Sequence, residues 1–370
     1  MTAATRGGKA PKHVLVTGFP IFVARRLVRE LVAGGDHVFV LHREKFTADA
    51  EAFVAEVNAH SGDTSGDGSG DNAGEAVALR GDILDLDLGL SGEEVRLLHD
   101  QIHEVHHLAA VQYLGISSEK MRRVNVEGLR EVLELALGMK RLERLCHWST
   151  AFVAGGREGV ALEEELMVGQ RFRNGYERSK AAAEELARSA MAKLPITIVR
   201  PSVIVGDSET GEVQRFDGPY LLINALVNAP ANTPVPLPGQ GGLPLNVVPA
   251  DYVVKAALHL ARHPGAVGGT FHLVDPAPLT AHEFYNAVAD AAGRPRPTLF
   301  LPNNIARIIL SAPGLRRLVP QERTFLEWFD SSLIFDDTGA RKLLADGGIH
   351  CPDVPSYVDV LVRYVREYTR

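Results

Sequence analysis

Short apolar runs alternate with helix-length segments from residue 13 to residue 200, and that alternation constrains the fold more than any other feature. The runs at 13–17, 37–41, 76–80, 104–108, 143–148 and 195–199 are rich in Val, Leu and Ile and too short for buried helices. Strands covered on both faces read this way. Between them, 22–32, 46–59, 92–100, 117–138 and 175–193 have helical spacing. In the first of these, Phe22, Val23, Leu27 and Leu31 fall on one side before Gly34-Gly35 stop it. Strands separated by helices pair in parallel, with helices on both faces. The expected fold class is α/β, a doubly wound parallel sheet of the Rossmann type.

After Arg200 the character changes. Residues 201–247 are rich in Gly and Pro, with one periodic stretch at 219–229; 250–262 reads as a helix and 270–274 as a last strand. From 277 on, helical stretches are broken by prolines. The expected organisation is a disordered tail at 1–12, a dinucleotide-binding domain at 13–200 plus 248–276, and a smaller, discontinuous C-terminal substrate lobe at 201–247 plus 277–370. A polar low-complexity stretch at 61–74 reads as a flexible insertion. Within the lobe, Leu299, Phe300, Ile305, Phe325 and Trp328 are mixed with Arg307 and Arg323. They fit either a core with a solvated face or a greasy channel with a basic rim, suited to a long acyl chain.

Composition excludes several function classes. A formal net charge of -7 leaves no basic surplus for phosphates, so no nucleic-acid partner is expected. Cys146 and Cys351 are the only cysteines, too few for a disulfide scaffold or a multi-cysteine zinc module. His106 and His107 point to opposite faces of a strand, which argues against a metal site. No apolar run reaches the ~18 residues of a membrane span. Residues 14–24 imitate a signal peptide, but Thr17, Gly18 and Pro20 interrupt the run and Arg25-Arg26 stand where a cleavage site belongs. With no targeting segment read, the expected compartment is the cytoplasm.

The first strand runs into Thr17-Gly18-Phe19-Pro20-Ile21-Phe22-Val23-Ala24 and then a helix. Strand, tight turn and helix N-terminus together suit a pyrophosphate. Gly18 can make the turn, Pro20 suits a first helical turn, and Ala24 allows close packing. Ile21 stands where a middle glycine normally admits the phosphate. At the second strand's tip, Arg43 can pair with a ribose 2′-phosphate, which favours NADP(H) over NAD(H); as a solvated surface residue it would bind nothing. Asp82 either accepts from an adenine amino group or caps the turn that follows.

Tyr176 and Lys180 lie four residues apart on one helix and so share a face. An ammonium favours a phenolate, so Lys180 is expected to lower the Tyr176 pKa toward the range of a proton donor or acceptor. Thr150, at the end of run 143–148, can orient a carbonyl toward Tyr176, or cap a helix. Asn125 can polarise a water or hold the Lys180 side chain, or bond nearby backbone.

The ordered set Thr17-Gly18, Asp82, Ala109-Ala110, Asn125, Thr150, Tyr176 and Lys180, followed by Arg200-Pro201-Ser202-Val203-Ile204-Val205-Gly206, resembles an extended short-chain dehydrogenase/reductase. Asp87 to Ser91, Ser149 to Val153, Gly206 to Glu212 and Asn246 to Tyr252 resemble its thioester-reductase or fatty acyl reductase ("male sterility") branch. The resemblance implies NADP(H) lying across the strand ends, near Thr17, Gly18, Phe19, Pro20, Ile21, Phe22, Arg43, Asp82, Ile83, Ala109, Ala110, Tyr176, Lys180, Pro201 and Val203. It implies Tyr176 as general acid, Lys180 on the nicotinamide ribose, Thr150 on the carbonyl and Asn125 in a proton relay. Ile21 and the bulky His106-His107 depart from the family pattern. The implied reaction moves a hydride to or from a carbonyl, an alcohol or an acyl thioester. The alternatives are a nucleotide-binding or regulatory protein on the same fold, and an epimerase or dehydratase with retained NAD. By analogy with the superfamily, helices 117–138 and 175–193 would form a homodimer interface.

Overall fold

The computed structural model describes residues 10–63, 74–112, 116–230, 237–238, 241–297, 300–301 and 332–369. Strands β1 (His13–Thr17), β2 (His37–His42), β3 (Glu75–Arg80), β4 (Glu104–His107) and β5 (Arg144–Trp148) belong to one seven-stranded sheet with β7 (Ile196–Pro201) and β11 (Thr270–Leu273). Its order is β11-β7-β5-β4-β1-β2-β3, and every pairing is parallel. β1 lies between β4 and β2, so successive crossovers leave it in opposite directions. The crevice at its carboxyl end is where such sheets bind ligands.

Apolar helix faces cover both sides of the sheet. Helix α1 (Phe22–Ala33) buries Val23, Ala24, Leu27, Val28, Leu31 and Val32. They share a core with α2 (Thr47–Asp63) and α8 (Ala250–Arg262). Cutting a buried leucine such as Leu27 to alanine costs about 2–5 kcal/mol in such a core. The other face is covered by α3 (Gly92–Gln101), α5 (Gly128–Leu137) and α6 (Gly175–Ala190). A separate core joins β8 (Val203–Val205), α7 (Pro219–Asn228), β10 (Val247–Pro249), α9 (Ala281–Ala292) and α11 (Val354–Tyr368). β8 pairs with β10 in a two-stranded sheet, and only Ser202 separates it from β7. Two further short pairs form: β9 (Leu237–Pro238) with β12 (Phe300–Leu301), and β6 (Gly159–Ala161) with β13 (Leu333–Phe335).

Several expectations need correction. The single helix expected at 117–138 is broken into α4 (Ser118–Arg122), a π-helical segment Arg123–Glu127, and α5. Residues 61–63, expected in the insertion, continue α2; the rest of that stretch to 73 lies outside the described residues. Helix α10 (Thr338–Ala345), expected with the substrate lobe, places Ala340 and Leu344 in the core shared by α1 and α8. Of the apolar residues expected to line a channel, Leu299, Ile305, Phe325 and Trp328 lie outside the described residues.

Candidate active site

The turn after β1 has φ of +104° at Gly18, where a Cβ would lie 2.9 Å from the Ala109 amide nitrogen and from the Leu108 carbonyl carbon. Both the backbone angle and the close approach require glycine. Ile21 departs from the family's glycine without strain: its φ of -57° suits any L-residue, and its side chain packs against the neighbouring core. Phe19 is buried against Phe53, with the Arg25 guanidinium over both rings. Only backbone and the half-buried Pro20, Ile21 and Phe22 remain to face a ligand.

Thr17 is 0% exposed. Its hydroxyl accepts from the Ala109 N–H at 3.3 Å and lies 2.9 Å from His107 Nδ1. The residue ties β1 to the end of β4 beneath the turn. Asp82 Oδ1 accepts from the Leu84 N–H at 3.1 Å, in the turn after β3. Ile83 turns inward against Gly128. Arg43 is exposed just beyond β2, its guanidinium carbon 6.0 Å from the Phe46 ring centre. Ala109 and Ala110 are half-buried after β4, and Pro201 and Val203 are buried where β7 gives way to β8.

Tyr176 and Lys180 occupy the first turns of α6, whose N-cap Asn174 accepts from the Glu177 N–H. Lys180 is buried and donates from Nζ to the Trp148 carbonyl at 2.6 Å. Burial lowers its pKa to about 8, with Glu184 pulling it back up. The Tyr176 phenol shifts opposite to expectation. Loss of surrounding water pushes it up to about 12, and the hydrogen-bonded Thr150 hydroxyl only partly offsets this. Spacing predicts a pairing that the geometry spends elsewhere, on Trp148. Thr150 is buried after β5; its Oγ1 accepts from the Phe152 N–H at 3.3 Å and donates to the Pro201 carbonyl at 3.4 Å.

Asn125 neither reaches Lys180 nor is left to polarise a water. Its Oδ1 accepts from the Val111 N–H at 2.7 Å, and its Nδ2 donates to the Val111 carbonyl at 3.2 Å and to Ser179 Oγ at 2.9 Å. The π-helical turn places this buried side chain so that it clamps the segment after β4 to α6, beside Lys180.

Under the site, three buried groups form a chain. An indole N–H can only donate, so Trp148 Nε1 donates to His106 Nδ1 at 3.2 Å and leaves His106 Nε2 to donate to Glu104 Oε1 at 2.6 Å. Arg262 Nε binds Glu104 Oε2 at 3.0 Å. Burial raises the Glu104 carboxyl, but the hydrogen bond from His106 and the charges of Arg262 and Lys12 outweigh it and hold the group at about 2. His106 thus faces away from the crevice and supports Trp148, while His107 supports Thr17. Sequence reasoning missed the Trp148 carbonyl, because backbone acceptors leave no mark on residue type. It also missed Gln214, whose side chain meets the phosphate turn from 192 residues away.

The male sterility protein family model matches residues 16–257. The chain is 27% identical over 287 residues to fatty acyl-CoA reductase 1 of Xenopus laevis, covering 69% of this chain and 55% of that protein. It is 27% identical over 373 residues to the nonribosomal peptide synthetase asaC of Aspergillus flavus, covering 90% of this chain and 34% of that protein. The chain therefore spans about half or less of the length of these relatives. Among solved structures it is similar to the terminal R domain from the myxalamid PKS-NRPS biosynthetic pathway, with 27% identity, a TM-score of 0.80 and coverage of 98% of this chain and 92% of that one. The matched segment runs from the end of β1 through Tyr176 and Lys180 into α8, so it contains the crevice and every side chain placed around it. The chain belongs to the male sterility protein family, the NAD-binding, thioester-reductase-like branch of the extended short-chain dehydrogenase/reductases.

Proposed function

We propose that this chain is an NADP(H)-dependent reductase that delivers hydride to a carbonyl or an acyl thioester, with Tyr176 as its general acid. The observation that carries this reading is the convergence of Tyr176, Thr150 and Lys180 at the carboxyl end of β5, beside the Gly18 turn. A protein that only bound a nucleotide would need no proton donor there.

A nicotinamide dinucleotide fits the residues present. The Gly18 cradle excludes a Cβ, α1 has no side-chain cap of its own, and its first amide already attracts an acceptor from a distant segment. The turn from Gly18 to Phe22, the backbone at Asp82-Ile83, Ala109-Ala110, and Pro201 with Val203 would hold it, and Arg43 would meet a 2′-phosphate. The bound cofactor supplies the hydride. Thr150 turns its single hydroxyl proton from the Pro201 carbonyl to the substrate oxygen and orients it. The Tyr176 phenol, which keeps its proton up to about 12, donates that proton to the oxygen as negative charge develops there. Lys180, an ammonium below about pH 8, stabilises the phenolate left behind. A phenol held this firmly protonated suits reduction better than oxidation. The likeness to fatty acyl-CoA reductase 1 of Xenopus laevis supports an acyl substrate.

Titrating the protein with NADPH by its fluorescence, then offering short and long aldehydes and acyl thioesters, tests the reading. Binding with NADPH consumption supports it. Binding without turnover across the panel would instead favour a regulatory nucleotide-binding protein.

A further inference from the structure

The first amide of α1 is the donor that a helix N-terminus offers to a phosphate, and one N–H serves one strong acceptor. In this chain it is taken. The Phe22 N–H donates to Gln214 Oε1 at 3.1 Å, and Gln214 Nε2 donates to the Pro20 carbonyl at 3.2 Å. Gln214 therefore spans the phosphate turn with both ends of its amide, while α1 has no cap from its own sequence.

The backbone that carries Gln214 is pinned. Arg26 of α1 pairs with Asp207. Asp207 Oδ1 accepts from the Glu209 and Thr210 N–H groups, each at 2.8 Å. Gly211 lies against Tyr364 of α11, where a Cβ would approach to 2.6 Å. Phe216 packs on Tyr220 and Tyr364 with ring centres 5.6 and 6.2 Å away. The Gln214 side chain itself is exposed. The segment is held in place at both ends, and the amide can swing away without moving it.

We propose that Gln214 is a cofactor-site residue: its amide stands in for the dinucleotide pyrophosphate and surrenders the Phe22 N–H when the pyrophosphate arrives. The inference rests on the dinucleotide-binding reading above and adds a residue to it.

The test compares wild type with Gln214→Met, which keeps the length and loses both hydrogen bonds, and with Gln214→Glu, which keeps an acceptor and adds a charge. Dissociation constants are measured for NADPH by fluorescence, and for ADP and adenosine by calorimetry. The Met variant binds NADPH and ADP roughly twofold to tenfold tighter, the range a single released hydrogen bond sets, and binds adenosine as wild type does. The Glu variant binds both phosphate ligands at least about tenfold more weakly, with a penalty that shrinks as salt rises. Unchanged or weaker NADPH binding by the Met variant overturns the proposal and leaves the reductase reading intact. Failure of wild type and the Met variant alike to bind any of these nucleotides at millimolar concentration overturns both. Equal thermal midpoints for the three proteins show that each is folded.

Discussion

Lys180 Nζ and the Trp148 carbonyl lie 2.6 Å apart, so the amine of the YxxxK pair is anchored to the backbone of β5 rather than left to roam the crevice. A buried ammonium with one fixed acceptor has its charge in a defined place before any ligand enters. Its pKa, lowered by burial to about 8, then sets the pH at which that charge is lost. Reduction should therefore slow as pH rises through about 8, and Lys180→Arg should move that limb upward while lowering the maximal rate. Measuring kcat from pH 6 to 10 decides; a profile flat through pH 9.5 in wild type would contradict the assignment.

Tyr176→Phe removes the proton and little volume. Turnover should fall by about 10²- to 10⁴-fold, the range for a lost general acid, with the NADPH dissociation constant changed by no more than about threefold. Steady-state kinetics and fluorescence titration on the same preparation check both halves. Retained turnover would overturn the catalytic role.

Arg43 is solvent-exposed and makes no ion pair among the described residues, so its removal leaves the fold alone. Arg43→Ala should narrow the preference for NADPH over NADH by roughly tenfold, the scale of a charge-assisted contact. An unaltered ratio of the two dissociation constants would refute its contact with a 2′-phosphate.

Asn125→Ala leaves the Val111 N–H and carbonyl without the partners they have now. We expect a loss of about 2 kcal/mol in urea unfolding, the scale of buried groups left unsatisfied, together with weaker cofactor binding. Asn125→Asp keeps the acceptor for the Val111 N–H and loses the donor, so it should fall between alanine and wild type.

Glu104 links the sheet to acid stability. Its folded pKa, about 2, lies below the ordinary 4.5, so its contribution is present above pH 4.5 and lost as pH falls toward 2. Glu104→Gln should flatten that acid limb in stability measured from pH 2 to 6. A limb as steep as wild type would show that other carboxylates carry it.

The parallel sheet was legible because strands buried on both faces leave consecutive apolar residues, as at 13–17 and 195–199. The placement of Tyr176 and Lys180 in the first turns of one helix was legible for the same kind of reason, since period alone sets a shared face. Quantities that depend on neighbours distant in sequence were not. Four-residue spacing carries no record of lost solvent, so the direction of the Tyr176 shift was misread. Asn125 stayed open between a water, Lys180 and nearby backbone, because nothing in 117–138 announces the π turn that aims it at Val111. Ile21 read as a departure from the family's glycine, and residue type carries no record of the ordinary backbone it adopts. His106 and His107 were correctly expected to diverge, but Trp148 and Thr17 as their partners needed the assembled strands.

Ser202 alone stands between β7 and β8, so one nearly continuous stretch of chain is the strand next to the edge of the large sheet at one end and half of the small sheet at the other. Such a splice leaves no slack. The two cores have to travel together at this point, and any widening of the crevice must come from the loops around its mouth rather than from a swing of one half against the other.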